Sequence, residues 1–218
     1  MSRNYSLFQR FGVELEYMIA DAETLEIRPE ADELIRSVAG SVDGDVSRGR
    51  IDWSNELALH LIELKTSRPA TSLGSLAKAF HGEVQFINEE LGKRGALLLP
   101  GAMHPWMNPR RQSRLWPHGN QEIYRAFDRI FDCRGHGWTN LQSTHLNLPF
   151  RDGEEFGRLH AAVRVLLPLL PALAASSPLM DGKPGANLDN RLEVYRGNCR
   201  RVPSLTGRVI PEAVRTPE

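Results

Sequence analysis

Glu14 and Glu16 stand two residues apart in FGVELEYMIAD, residues 11–21, a run otherwise apolar enough to be a strand. Side chains alternate across a strand, so both carboxylates leave one face while Val13, Leu15 and Tyr17 leave the other. Two like charges on a half-buried surface repel, and burying either one unpaired is costly. Their placement asks for a cation between them.

Two further segments carry polar groups where a buried strand should have none. NELALHLIELKT, residues 55–66, opens with Glu56 and contains His60 and Glu63. TNLQSTHLNLPF, residues 139–150, sets His145 and Asn147 on one face, with Leu146 and Leu148 on the other. Glu56 and Glu63 are seven residues apart, an odd spacing that would point them to opposite faces of a straight strand. Either Glu56 belongs to the loop at the strand's mouth or a bulge intervenes. If the three strands are neighbours, four carboxylates and an imidazole converge on one surface. Oxygen-rich sites of that kind suit Mg²⁺ or Mn²⁺ better than zinc, whose structural sites favour thiolates. A magnesium site rich in acids commonly holds substrate phosphates, which points to phosphoryl transfer.

Other candidates read as structural. His60 is expected to be a satisfied or surface histidine, and Cys133 with His136 in CRGH lacks the second ligand pair of a metal site. The basic residues of PRRQSR are expected to be solvated. Neither a G-x-x-x-x-G-K-[ST] loop nor a complete dinucleotide fingerprint occurs, so a nucleotide would be bound through metals and arginines.

The elements that must position these groups follow from periodicity and punctuation. A first strand is expected at about residues 9–20, then a hairpin return and a short helix stopped by Gly40. SVDGDVSRGR reads as a polar loop and residues 55–66 as a second strand. Leu73, Leu76, Phe80, Val84, Ile87 and Leu91 repeat at helical spacing, ending near Gly92 and Gly95. ALLLP is a buried strand. The proline-rich stretch after it is a long loop, a length more often functional than idle. NQEIYRAFDRIF is an amphipathic helix and residues 139–150 a third strand. Residues 154–175 form a core helix kinked at its prolines. The pattern defines an α+β domain with an antiparallel sheet, helices on one face and the carboxylates on the open face.

Composition bounds the function. The 218 residues are read as one domain, 1–218. Acidic and basic residues balance at 27 each, and no basic stripe interleaved with aromatics occurs, which argues against nucleic-acid partners. Two distant cysteines, Cys133 and Cys199, and no signal-like N-terminus point to the cytoplasm. The apolar stretch 159–178 is interrupted by Arg164, Pro168 and Pro171, so no membrane span is expected.

In FGVELEYMI, NELALHLIELKT, LLLPGAMHPWMNP, IYRAFDRIFDCRGHGW and NLQSTHLNLPF, taken in order, the chain resembles the type 2 glutamate–cysteine ligases and related carboxylate–amine ligases. The resemblance runs from about residue 11 to about residue 212. It implies a glutamine-synthetase-like fold, an antiparallel sheet curved around divalent ions. It also implies an ATP-dependent ligase, in glutathione biosynthesis for the best-known members. The γ-carboxylate of glutamate would take the terminal phosphoryl group of ATP, and the amine of cysteine or another amine would displace it. Carried over residue by residue, Glu14, Glu16, Glu56, Glu63 and His145 would hold Mg²⁺ or Mn²⁺, and Asn147 and Arg191 would bind substrate, Arg191 as a carboxylate clamp. Family members continue past the point where this sequence stops. The chain is therefore expected to be the N-terminal portion of the family fold, with an unpaired sheet edge open to self-association or a complementing chain. A non-catalytic metal- or nucleotide-binding module is the competing expectation.

Overall fold

A computed structural model describes residues 5–42, 45–205, 213, 214 and 216. The first strand, β1 (Gly12–Asp21), is the axis of the sheet. Asp21 turns the chain by accepting hydrogen bonds from the amides of Glu23 and Thr24. Helix α1 (Ala31–Ala39) follows, and Gly40 ends it in the left-handed region at φ 76°, its N–H bonded to the Arg36 carbonyl. Strands β2 (Val46–Ser47), β3 (Ile51–Asn55) and β4 (Leu61–Thr66) form a meander. Helix α2 (Gly74–Gly92) then leads into β5 (Ala96–Leu99). Beyond a long connection containing α3 (Pro109–Gln112) come α4 (Gln121–Phe131), α5 (His136–Thr139) and β6 (Thr144–Asn147). Among the described residues there follow α6 (Gly153–Leu166), α7 (Leu170–Ala174), the β7 (Leu179–Met180) and β8 (Lys183–Pro184) ribbon, α8 (Asn190–Arg196) and a short 3-10 turn (Pro203–Leu205).

The sheet runs β2-β3-β4-β1-β5, every pairing antiparallel, as expected. Strands β5 and β6 divide the second edge of β1. β5 pairs with residues 18–21 and β6 with residues 12–15. Alternation then separates two faces. Val13, Leu15, Tyr17 and Ile19 of β1, with Trp53, Ile62 and Leu64, face Leu34 and Ile35 of α1 and Leu76, Phe80, Ile87 and Leu91 of α2. Burying side chains of that size contributes on the order of 2 kcal/mol each. The opposite face is only half open. At one end Met18, Leu61, Ile27 and Ala58 pack under Met107 of the long connection.

That connection is a built cover. His104 is buried, accepts at Nδ1 from the Met107 amide at 3.0 Å and contacts the Leu25 carbonyl through Nε2 at 2.8 Å. Its length serves packing over the sheet.

Several elements depart from expectation. The stretch 55–66 is not one strand. The chain turns at residues 56–60, where Leu57 and Leu59 pair instead with Trp116 and Arg114, and the preceding IDWSN is a strand of its own. The third strand is confined to Thr144–Asn147, because the side chains of Asn140 and Gln142 bond backbone groups of other segments in place of a ladder. Residues 154–175 break into α6 and α7 around Pro168, and they are not core. Val165 and Leu173 are 72% and 83% exposed. Helical periodicity recorded an apolar face but not what would cover it. Cys133 and Cys199 are free and buried. Burial, with Asp128 and Asp132 nearby, pushes the Cys133 thiol up to about 12. No described helix is long and apolar enough to cross a membrane.

Candidate metal centre

Register brings the acids together. Glu16 of β1 lies directly opposite Glu63 of β4, and Glu14 directly opposite His145 of β6. Like charges facing each other across a ladder are destabilising, so nothing in the sheet itself favours the Glu16–Glu63 pair. Glu56 sits where the chain leaves β3, and its Oε2 accepts from the Leu57 amide at 3.2 Å. The turn resolves the odd spacing, since Glu56 lies at the strand's mouth and reaches the same face as Glu63.

Two groups of ligand atoms result. In Glu14, Glu63 and His145, and again in Glu16, Glu56 and Glu63, one donor atom from each residue lies within 4.8 Å of the others. Glu63 belongs to both. Each carboxylate is also aimed by a neighbour. Glu14 accepts from Asn147 Nδ2 and contacts His145 Nδ1, each at 2.8 Å. Glu16 accepts from the Ser143 amide at 2.8 Å, and Glu63 from the Ser54 hydroxyl at 2.8 Å. Gly12 lies opposite Asn147, and a Cβ there would come 3.1 Å from the asparagine Cβ, so glycine lets β6 lie close.

The electrostatics are those of a crowded anionic pocket. Burial raises the Glu16 carboxyl above its ordinary value, against the Ser143 N–H and His145. Burial, then the Glu16 and Glu63 charges, raises Glu56 to about 7. Protein cations compensate weakly: Lys65 Nζ is 3.8 Å from Glu63 but 3.0 Å from Asp45. Carboxylate oxygens in this number with one imidazole fit a hard divalent cation. Beside Glu14 a cavity of about 370 Å³ opens, lined by Tyr5, Arg10, Phe11, Lys65 and Asn147 among others.

The structure thus brings Glu14, Glu16, Glu56, Glu63, His145 and Asn147 into one place. Arg191 stands behind Glu16, with its terminal nitrogens on the Gln142 carbonyl and, at 3.0 Å, the Ser143 hydroxyl. His60 is apart from the site and buried. Its Nε2 contacts the Thr139 carbonyl at 2.8 Å, and burial lowers it to about 4. Cys133 and His136 do not join: His136 contacts Asn140 and Asp181. Sequence reasoning missed Ser54, Ser143 and Tyr124, whose hydroxyl receives a bond from Asn55 at 3.0 Å and senses the Glu56 and Glu63 charges. Ser143 could have been found, since it shares the alternation of His145 and Asn147.

The fold is that of a glutamate–cysteine ligase. The solved structure of glutamate–cysteine ligase from Francisella tularensis in complex with AMP superposes with a TM-score of 0.54 at 14% identity, over 80% of this chain and 36% of that one. The model of glutamate-cysteine ligase family 2 (GCS2) matches residues 10–216, and the chain belongs to that family. An uncharacterized protein of Archaeoglobus fulgidus is 36% identical over 93% of this chain and 54% of its own length. A putative glutamate–cysteine ligase 2-3 of Rubrobacter xylanophilus is 28% identical over 85% of this chain and 46% of its own length. The chain therefore spans about half the length of these relatives.

Proposed function

We propose that the chain carries the metal-binding face of an ATP-dependent carboxylate–amine ligase, with glutamate as the activated acid and cysteine or another small amine as the acceptor. One observation carries the reading: four carboxylates and an imidazole, drawn from β1, β4, β6 and the β3–β4 turn, crowd one pocket in which Glu56 is raised to about 7. Nothing structural requires such crowding, and bound Mg²⁺ or Mn²⁺ would relieve it. Glu14, Glu63 and His145 would hold one ion and Glu16, Glu56 and Glu63 another. When bound, the ions supply neutralising charge to a polyphosphate and a carboxylate that otherwise repel.

The chain's own residues do the positioning. Asn147 and His145 fix Glu14, Ser54 fixes Glu63, and the Ser143 amide fixes Glu16. Arg10 and Lys65 line the cavity beside Glu14, an environment suited to an anionic co-substrate such as ATP. In the reaction a γ-carboxylate oxygen bonds the terminal phosphorus as ADP leaves. The amine nitrogen then bonds the carbonyl carbon as phosphate leaves, and the amine loses a proton. Holding the reactants in line is the chief contribution such a site makes. The buried free thiols agree with a reducing cytoplasm.

A second reading, a metal- and nucleotide-binding subunit completed by further polypeptide, is favoured by β6, whose four residues are all exposed. One assay separates them. Purified protein with ATP, Mg²⁺, glutamate and a panel of amines releases ADP only when acid and amine are both present. Metal-dependent ATP binding without release supports the second reading, and absence of both overturns the proposal.

A further inference from the structure

We infer that Arg191 is a positioning residue for Glu16, acting through the Gln142–Ser143 backbone instead of gripping a substrate carboxylate. The inference rests on the metal-binding role proposed for Glu16.

The strand β6 leaves β1 just where Glu16 needs a partner. Glu16 N–H donates to the Ser143 carbonyl at 3.0 Å, and the Ser143 N–H donates back to the Glu16 carboxylate. One residue earlier the Gln142 side chain takes over, its Oε1 accepting from the Met18 amide at 2.9 Å. This exit from the ladder leaves the Gln142 carbonyl and the Ser143 hydroxyl without strand partners, and the Arg191 guanidinium bonds both. A planar fork spanning two neighbouring acceptors fixes the angle of the peptide between them. That peptide's N–H is the one aimed at Glu16.

The fork is itself rigidly mounted. Asn190, buried beside it, donates to the Ser177 and Asn187 carbonyls, each at 2.7 Å, and the Arg191 amide donates to the Ser177 hydroxyl at 3.1 Å. A Cβ on Gly185 would collide with the Asn190 side chain, so glycine makes the room. Arg191 thus links α8 to the metal-binding face through fixed contacts, with two of its nitrogens committed. Groups that aim ligands in this way typically alter metal affinity by 10- to 100-fold when removed.

The test compares Mn²⁺ binding by electron paramagnetic resonance, at one pH, for the wild-type chain and the Arg191→Ala, Arg191→Lys, Ser143→Ala and Arg191→Ala/Ser143→Ala proteins, with circular dichroism reporting the fold. Arg191→Ala is expected to weaken Mn²⁺ about tenfold. Arg191→Lys does not restore it, because an ammonium on a flexible stem has donors enough but lacks the rigid planar fork that fixes two acceptors at one spacing. Ser143→Ala weakens it by less, and the double variant is no weaker than Arg191→Ala alone, as for groups acting in series. Unchanged Mn²⁺ affinity in Arg191→Ala overturns the inference, and so does full rescue by lysine. Should Arg191→Ala fail to fold, Ser143→Ala decides alone: a weaker site supports the inference and an unchanged one overturns it. A wild-type chain that binds no Mn²⁺ removes the metal role itself, a failure distinct from that of Arg191.

Discussion

Glu63 is the residue on which the site turns. It faces Glu16 in register, accepts from Ser54, and contributes to both ligand groups, whereas Glu14 and Glu56 contribute to one each. Neutralising it should therefore cost more than neutralising either of them. In equilibrium dialysis, Glu63→Gln is expected to lower both the affinity and the number of Mn²⁺ bound, and Glu14→Gln or Glu56→Gln to remove one ion and spare the other. Equal losses from all three would show that the acids act as one undivided cluster. Most of this constellation was legible beforehand. Glu14 with Glu16, and His145 with Asn147, announce a shared face by alternation alone. Ser54 was hidden because its partner is fixed by register between strands, which no local spacing encodes.

Between residue and molecule, the elements explain what could and could not be read. Helix α2 was plain because its apolar positions repeat every three or four residues and glycine ends it. Strand β3 was missed because IDWSN is short, and its inward Ile51 and Trp53 show only once Asp52 and Ser54 are known to face the other way. The close approach of β6 to β1 depends on an absent side chain. Gly12→Ala would press on Asn147, tilting the strand that carries His145. The expected result is a modest loss of stability, roughly 1–2 kcal/mol, by urea titration. Mn²⁺ binding should weaken through Glu14, which Asn147 and His145 hold. Undiminished binding would show that β6 can shift without disturbing the carboxylate.

At the scale of the whole molecule, two buried groups pull stability in opposite directions with pH. Glu56 is raised from 4.5 to about 7, so the folded state holds its proton longer than the unfolded chain. Stability from this group is complete below about pH 4.5 and is lost as pH rises towards 7. His60 is lowered from 6.5 to about 4, so the unfolded chain binds a proton first and stability is lost as pH falls through that window. Each effect is on the order of 3 kcal/mol, and Glu16 and His104 lean the same ways as Glu56 and His60 respectively. In metal-free buffer the wild-type urea midpoint should change little between pH 4.5 and 6.5. Glu56→Gln should expose a midpoint that rises with pH, and His60→Gln one that falls. Parallel profiles for both variants would remove this account.

Cys133 gives the molecule an internal clock. A thiol sealed in the fold and held at about 12 contributes almost no thiolate near neutrality, so an alkylating reagent finds it only after the surrounding structure opens. Its rate of labelling therefore reports how often the α4–α5 region comes apart, and it should slow when divalent ions draw the distant acids together and steady the entire chain.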